Sequence, residues 1–302
     1  MSQQADSVKS ILYALGANAA IALAKLYAAV STGSSAMLAE AIHSCADCAN
    51  QGLLLLGIKL AKRAASVEHP LGHGKAVYFW SFIVALMLFS MGGLFSVREG
   101  AHKLHAQEPL SAPWLAIGVL LFSIGAEIVS LNGCLREVNK VRGKRSLWRW
   151  FRESRQSELI VVLGEDIAAL FGLVLALGAI GLTLVTGDPL FDALGSIAIG
   201  VLLILIALAL AIEIKALLIG QSVEPDLQHA IQETIRGRQE VEHVLNLITL
   251  QLGADVMVAV KAKMRDVGSA PELAEAINRC ETALRAVFPQ VKWVFFEPDL
   301  RS

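Results

Sequence analysis

Six long runs of mostly apolar residues dominate the 302-residue sequence. The hydrocarbon core of a bilayer is about 30 Å thick, so a helix that crosses it needs about 20 such residues. Membrane-spanning strands would instead show segments of about 10 residues with alternating hydrophobicity, so helices are favoured. The chain is predicted to cross a membrane at residues 9–30, 36–60, 77–97, 112–135, 158–186 and 190–219.

The composition agrees with a membrane protein and excludes other classes. Charged residues make up 18% of the chain, whereas soluble domains average about 25%. The four cysteines form no disulfide framework, which excludes a small secreted scaffold. A formal net charge of −1 gives no basic footprint for nucleic acid.

Lysine and arginine are unevenly distributed among the connecting segments. They are concentrated in 61–76 and 136–157, whereas the turns 31–35 and 187–189 contain none. Because positively charged loops stay on the cytoplasmic side, both termini are predicted to be cytoplasmic. The expected location is the inner membrane of a bacterial cell.

The last part of the chain differs in composition from the rest. After the transmembrane domain, residues 1–220, residues 221–302 contain only short apolar runs separated by turn residues. Val256, Val258 and Val260 alternate with other residues, which predicts a strand with one buried face. The whole segment predicts a small cytoplasmic α+β domain in the order αββαβ.

The second apolar run contains ionisable residues, which are costly in a membrane and mark a pathway or a site. On a helix, His43, Asp47 and Asn50 fall at about 0°, 40° and 340° around the axis. They therefore share one face, and the spacing of four residues between His43 and Asp47 lets both bind one ion.

The fifth apolar run contains two adjacent acids, Glu165 and Asp166. One interpretation is a buried ion pair with Lys25 of the first run, or a proton shared between the acids. The other is a second half-site, which with His43 and Asp47 would place one imidazole and three carboxylates around a cation. Such a set suits Zn²⁺ and also Mn²⁺, Fe²⁺ or Co²⁺.

The loop 61–76 contains two histidines four residues apart, His69 and His73, with glycines that permit a tight bend. They are able to bind a metal on the cytoplasmic side, although solvated side chains are the default for loop histidines. Glu127 in the fourth run is a further candidate, either as a proton relay or as the partner of a basic residue.

These motifs together resemble the cation diffusion facilitator family of metal transporters. The likeness lies in H-S-x-x-D from His43 to Asp47, H-P-x-G-H-G-K from His69 to Lys75, the acidic pair, and the small α+β tail. The stretch L-G-E-D-I-A-A at 163–169 resembles the corresponding stretch in the branch of the family that includes the animal mitochondrial zinc transporter.

The resemblance implies a fold and a set of ligands. The fold is six transmembrane helices followed by a ferredoxin-like αββαβ domain, with a homodimer as the assembly. His43, Asp47 and Asp166 match ligands of the transported ion. The commonest pattern of the family has a histidine where this chain has Val162, so Glu165, Asn50 or water is expected to complete the set.

The resemblance also assigns His69 and His73 to a loop metal site found in some members. Metal-sensing tails in the family carry histidines on their strands, but here Lys261 and Phe296 stand at two of those positions. The tail is therefore expected to bind metal poorly or not at all.

The combined prediction is a secondary active transporter, not an enzyme, that exports a divalent cation by proton antiport with alternating access. Zn²⁺ is the expected substrate, with Mn²⁺, Fe²⁺ or Co²⁺ as alternatives, and no cofactor beyond this metal is expected. Ligands must lose protons to bind metal, so the metal ion and protons compete for the same ligand atoms. No phosphate-binding G-x-x-x-x-G-K-[ST] loop is present, so ATP is not expected to drive transport.

Two other classes of function remain as alternatives. An intramembrane metal-dependent hydrolase would use the same ligands, but the chain has no H-E-x-x-H pair. A non-transporting membrane subunit would use its acidic residues to bind a partner helix. The expected partners are the metal ion, protons, the lipid bilayer and a second copy of the chain, with no nucleic acid.

Overall fold

The computed structural model describes residues 2–106 and 112–300, with side chains from residue 15 onward except those of 17 and 106. The helices are α1 (Ser2–Thr32), α2 (Ser35–Ala61), α3 (Ala76–Met87), α4 (Phe95–Ala106), α5 (Pro113–Arg142), α6 (Leu147–Glu153), α7 (Ser157–Thr186), α8 (Leu190–Ile219), α9 (Pro225–Arg236) and α10 (Ala270–Val287). The strands are β1 (Val241–Leu252), β2 (Asp255–Met264) and β3 (Val291–Pro298).

Every predicted membrane span coincides with a helix. Within the described residues, four helical stretches are long and apolar enough to cross a membrane: Ala76–His105, Pro113–Arg142, Ser157–Thr186 and Leu190–Ile219. Helices α1 and α2 are 31 and 27 residues long but are not among these four. The protein is thus a multi-pass, mainly helical membrane protein, and crossing by α1 and α2 remains a prediction.

Two helices continue at their C-terminal ends well beyond the apolar runs that predicted them, and α1 begins before its run, at Ser2, not 9. The third continues through a π-helical segment (Leu88–Leu94) and α4 to Ala106, not 97, and α5 continues to Arg142, not 135. The reason is that an apolar run marks the part of a helix that lipid can cover. The backbone hydrogen bonds of a helix continue equally well through the polar residues that follow.

The chain divides into two compact units. The first contains the described residues of Met1–Leu56, Trp80–Arg145 and Glu158–Glu213, and the second contains Gly57–Phe79, Ser146–Ser157 and Ile214–Ser302. The predicted division of the chain at residue 220 stays a prediction, because the second unit also includes two segments that precede it.

In the first unit, the start of α2 is held by Asp192 of α8. The buried carboxylate of Asp192 accepts hydrogen bonds from the Ser35 amide (2.7 Å), the Ser35 hydroxyl (3.0 Å) and the Ser34 hydroxyl (2.5 Å). A carboxylate at a helix N-terminus satisfies free amides and favours the helix dipole. This contact fixes the end of the helix that carries the polar face predicted from the sequence.

The third helical stretch and α8 approach each other closely in the same unit. A Cβ on Gly93 would lie 2.5 Å from a side-chain carbon of Ile204, and one on Gly200 would lie 2.7 Å from the carbonyl oxygen of Gly93. The absence of side chains at these two glycines is therefore required for this helix contact.

The second unit contains the predicted αββαβ elements. Strands β1 and β2 are antiparallel, β2 and β3 are parallel, and the strand order is β1-β2-β3. Val256, Val258 and Val260 of β2 are buried against α9 and α10, which confirms the alternation predicted for this strand. The small three-stranded domain is therefore present as a component of this unit.

The histidine-containing loop 62–75 lies in the second unit and contacts the turn between β1 and β2. The amide of Gly253 donates a 3.0 Å hydrogen bond to the Tyr78 hydroxyl, and a Cβ on Gly74 would collide with the carbonyl group of Leu252. Lys75 donates to the carbonyl oxygen of Leu218 at 3.3 Å. These contacts hold the loop at the glycines that the sequence predicts as its bend.

Candidate metal centre

The polar face of α2 is formed as the sequence predicts. His43 is fully buried, and its Nδ1 lies 3.4 Å from Oδ1 of Asp47 one helical turn later. Within the described part of the chain, both ring nitrogens of His43, Oδ1 of Asp47 and Oδ1 of Asn50 are buried without a hydrogen-bond partner. Buried polar atoms are normally hydrogen-bonded. An imidazole and a carboxylate left free in this way form a donor pair that suits a transition-metal cation.

The two acids of α7 point to different neighbours. Oε1 of Glu165, which is buried, accepts a 2.6 Å hydrogen bond from Nδ2 of Asn50 on α2. Asp166 accepts from the hydroxyl of Ser130 on α5, at 3.3 Å and 3.4 Å. This divergence follows from the rotation of about 100° between consecutive helical residues. Glu165 is therefore the acid of α7 that meets the polar face of α2.

Glu127 of α5, a minor candidate from the sequence, belongs to the same polar region. Its carboxylate interacts electrostatically with those of Asp47, Glu165 and Asp166. Acids from α2, α5 and α7 are thus close enough for their charges to act on one another. The signal in the sequence was an acid in the middle of an apolar run, with Ser130 one turn further along α5.

Lys25 of α1 does not pair with the acids of α7, which was one of the interpretations of that acid pair. Its Nζ lies 3.3 Å from Oε2 of Glu40 and 2.7 Å from Oγ of Ser44, both on α2. All three side chains are buried. The acid pair of α7 is consequently not neutralised by this lysine through direct contact.

The predicted single site of one imidazole and three carboxylates stays a prediction. Over residues 2–106 and 112–300, no three or more His, Cys, Asp or Glu side chains are grouped closely enough to hold a metal ion. The structure instead presents two neighbouring pairs, His43 with Asp47 and Asn50 with Glu165. Their convergence on one ion, with or without Asp166, stays a prediction.

The loop histidines are adjacent. The rings of His69 and His73 stack with a centroid distance of 4.3 Å and an interplanar angle of 29°, and Nδ1 of His73 is buried without a hydrogen-bond partner among the described residues. The loop is closed by the amide of Gly72, which donates to the carbonyl oxygen of His69 at 2.9 Å. The two rings are close enough to bind a shared ion, and this role remains a prediction.

On the strands of the tail, a lysine takes the place of a possible metal ligand. Nζ of Lys261 lies 2.7 Å from Oδ2 of Asp299 and 3.8 Å from Oε1 of Glu297. The hydrogen bond with Asp299 raises the pKa of the Lys261 ammonium. The acids nearest to this position therefore already interact with a cation supplied by the chain itself.

Residues 11–219 match the family model of the cation efflux transmembrane domain. Because this match covers most of the chain, the protein belongs to the cation efflux family, also known as the cation diffusion facilitators. Within that family it lies near the mitochondrial-type branch, as the sequence predicted.

Three relatives define the similarity. The mitochondrial proton-coupled zinc antiporter SLC30A9 of Xenopus laevis is 34% identical over 81% of this chain and 44% of its own length. Metal tolerance protein C4 of Arabidopsis thaliana is 29% identical over 70% of this chain and 47% of its own length. The cation-efflux pump FieF of Serratia proteamaculans is 27% identical over 95% of this chain and 91% of its own length. The chain thus spans somewhat less than half the length of the first two relatives.

Proposed function

We propose that the protein is a secondary active transporter that exports a divalent transition-metal cation, Zn²⁺ in the first place, from the cytoplasm. Protons move in the opposite direction, and α1 and α2 cross the membrane with the four apolar helices. The observation that supports this most directly is the His43–Asp47 pair on α2, in which both ring nitrogens of His43 and Oδ1 of Asp47 are buried without hydrogen-bond partners among the described residues. The three relatives are named as an antiporter, a metal tolerance protein and an efflux pump.

His43 and Asp47 are the proposed primary ligands, and α7 supplies the remaining acid or acids. Asp166 matches the family's position in the sequence, whereas the hydrogen bond with Asn50 favours Glu165. A shift of α7 relative to α2 would bring Asp166 to the ion in one state of the transport cycle. Asn50 then acts as an alternative ligand or as the group that orients Glu165.

Proton exchange follows from the chemistry of these ligands. An imidazole nitrogen or a carboxylate oxygen binds either a proton or the metal, so each metal ion that enters displaces protons. When the site faces the cytoplasm, it loads the metal. When it faces the more acidic side, protons displace the metal, and alternation between the two states gives antiport.

The choice of metal is the finer part of the proposal. One imidazole with several carboxylates is harder than a histidine-rich set and therefore also suits Mn²⁺, Fe²⁺ and Co²⁺. The Xenopus laevis relative is named as a zinc antiporter, which favours Zn²⁺ as the ion transported by this protein. Competition among these metals in a reconstituted flux assay would determine the order in which the protein prefers them.

Three further parts of the proposal concern the surroundings of the site. His69 and His73 form a cytoplasmic site that receives the ion, and the α+β tail forms a homodimer without a metal of its own. The membrane is that of a bacterial cell, and both termini lie inside because Lys and Arg are concentrated in the loops 61–76 and 136–157. A bacterial relative, the Serratia proteamaculans protein, aligns over 91% of its own length.

The test is metal flux into vesicles that contain the purified protein and an internal metal indicator, with an imposed proton gradient. Asp47→Ala should abolish flux and Asp166→Ala should lower it strongly, while both proteins still insert, and Glu137→Ala serves as the control. Glu137 is an exposed acid of α5 that pairs with Lys140. Normal flux in both variants, or none in the wild type, would refute the transporter and leave the hydrolase or the non-transporting subunit.

A further inference from the structure

A buried ion pair links α1 to α2 beside the candidate metal centre. The ammonium of Lys25 contacts Oε2 of Glu40 at 3.3 Å and the hydroxyl of Ser44 at 2.7 Å. Lys25 and Glu40 are both 0% exposed. The residues come from two different helices, so the pair is a tertiary contact.

This pair is poorly explained as a stabilising element alone. Removing two charges from water is costly, and an apolar pair of similar size often stabilises a protein equally well or better. The pair is also incompletely satisfied, because within the described residues Oε1 of Glu40 is buried without a hydrogen-bond partner. That oxygen lies against α7, where a Cβ on Gly172 would collide with it.

The position of the pair suggests its role. Glu40 precedes Asp47 by seven residues, so both lie on nearly the same side of α2 after about two helical turns. The ammonium of Lys25 donates to Ser44, the residue that directly follows His43 on α2, and its charge is close enough to act on His43, Asp47 and Glu127. The ammonium group of Lys25 therefore lies in the same buried interior as the proposed metal ligands on α2.

We propose that Lys25 and Glu40 form a charge-balancing pair that sets the affinity of the candidate metal centre for its cation. This inference rests on the proposed transport function. The positive charge of Lys25 repels an incoming divalent cation, and the negative charge of Glu40, which lies next to it, offsets most of that repulsion. Neither residue binds the metal; they are positioning residues that act through the electric field at His43 and Asp47. Their balance keeps binding weak enough for the ion to be released.

The proposal predicts single substitutions with opposite effects on the KM for Zn²⁺. Lys25→Met removes a positive charge and should lower KM about tenfold, with a slower maximal rate because release is impeded. Glu40→Gln leaves the ammonium unbalanced and should raise KM about tenfold. In the double variant Lys25→Met/Glu40→Gln, both charges are gone and KM should return to within about threefold of the wild type.

The experiment measures Zn²⁺ flux as a function of Zn²⁺ concentration in vesicles, with wild type, the two single variants, the double variant and Lys25→Arg. Lys25→Arg keeps the charge and should retain a KM near that of the wild type. Thermal unfolding in detergent accompanies each variant, because a structural role predicts lower stability in both single variants without KM shifts of opposite sign. Two outcomes overturn the proposal: KM moving in the same direction in both single variants, or a double variant no closer to wild type than either.

Asp47→Ala separates this proposal from the proposed function. If the wild type transports, Asp47→Ala does not, and the KM of Lys25→Met equals that of the wild type, only the charge-balancing role fails. If neither wild type nor Asp47→Ala transports above empty vesicles, the transport function fails, and the charge-balancing role with it.

Discussion

The polar residues of α2 and those of α7 differ in how their polar atoms are satisfied. On α2, His43 and Oδ1 of Asp47 are buried without hydrogen-bond partners among the described residues. On α7, Glu165 accepts from Asn50, and Asp166 accepts from Ser130. Helix α2 presents metal-binding atoms without hydrogen-bond partners, whereas α7 presents acids that already accept hydrogen bonds from neutral side chains.

This difference indicates a division of roles between the two helices. Free donor atoms of α2 are available to a cation with no bond to be broken first. A cation that binds Glu165 or Asp166 through the hydrogen-bonded oxygen must displace the side chain of Asn50 or Ser130, or share that oxygen with it. The α2 pair is therefore expected to determine whether an ion binds, and the α7 acids are expected to determine how tightly and in which state.

The largest effect is expected at His43. His43→Ala removes the only nitrogen ligand proposed for the transported ion and should reduce Zn²⁺ flux about 100-fold or more, since even outer-shell changes cost 10–100-fold in metal affinity. His43→Asp should keep part of the flux and shift preference from Zn²⁺ toward Mn²⁺, because oxygen is a harder ligand than nitrogen. Flux assays with each metal measure both.

His229→Ala in α9 is the matched control and should behave as the wild type. Undiminished Zn²⁺ flux in His43→Ala would mean that α2 does not supply the decisive ligand. The proposed difference between the two helices would then be wrong.

A second, smaller effect is expected at Glu165. Glu165→Gln keeps the size of the side chain but removes its charge, and should weaken Zn²⁺ binding about tenfold. Isothermal titration of purified protein with Zn²⁺ measures this change. Asp166→Asn is the comparison variant: if it alone weakens binding, the ion uses Asp166 and the hydrogen bond from Asn50 holds Glu165 out of the site.

The sequence predicted the helices and the polar face of α2 because both depend on local periodicity. The i, i+4 relation of His43 and Asp47 is a property of one helix, and the structure reproduces it. Alternation in β2 is equally local, and its buried valines agree with the prediction.

The contacts between helices could not be derived in the same way. Nothing in the sequence near Lys25 specifies Glu40 over the acids of α7, since the hydropathy pattern does not say which helices are neighbours. Likewise, the rotation of α7 decides whether Glu165 or Asp166 meets α2, and that rotation depends on packing against neighbouring helices. The positions of several helix ends were also predicted wrongly, because an apolar run marks the part of a helix that lies in the membrane, whereas the backbone hydrogen bonds continue beyond it.

Asn50 tests whether the contact between α2 and α7 is strong. Its 2.6 Å hydrogen bond to Glu165 is buried, and removing one partner of a buried hydrogen bond so that the other is left unsatisfied costs about 1–3 kcal/mol. Asn50→Ala should therefore lower the free energy of unfolding by about 2 kcal/mol. Denaturant titration in detergent measures it, and Asn139→Ala at the exposed end of α5 is the control. An unchanged unfolding curve for Asn50→Ala would show that this contact does not join the helices.

The smallest effect is expected at Ser130. Its hydroxyl is exposed and lies 3.3–3.4 Å from the two oxygens of Asp166, which is long for an O–H donor. Long and exposed hydrogen bonds stabilise little, so Ser130→Ala should lower the free energy of unfolding by less than about 1 kcal/mol. The same titration measures this variant beside Asn50→Ala. If Ser130→Ala proves the more destabilising of the two, then Asp166 is the acid of α7 that is held firmly, and Glu165 is the one free to follow the ion.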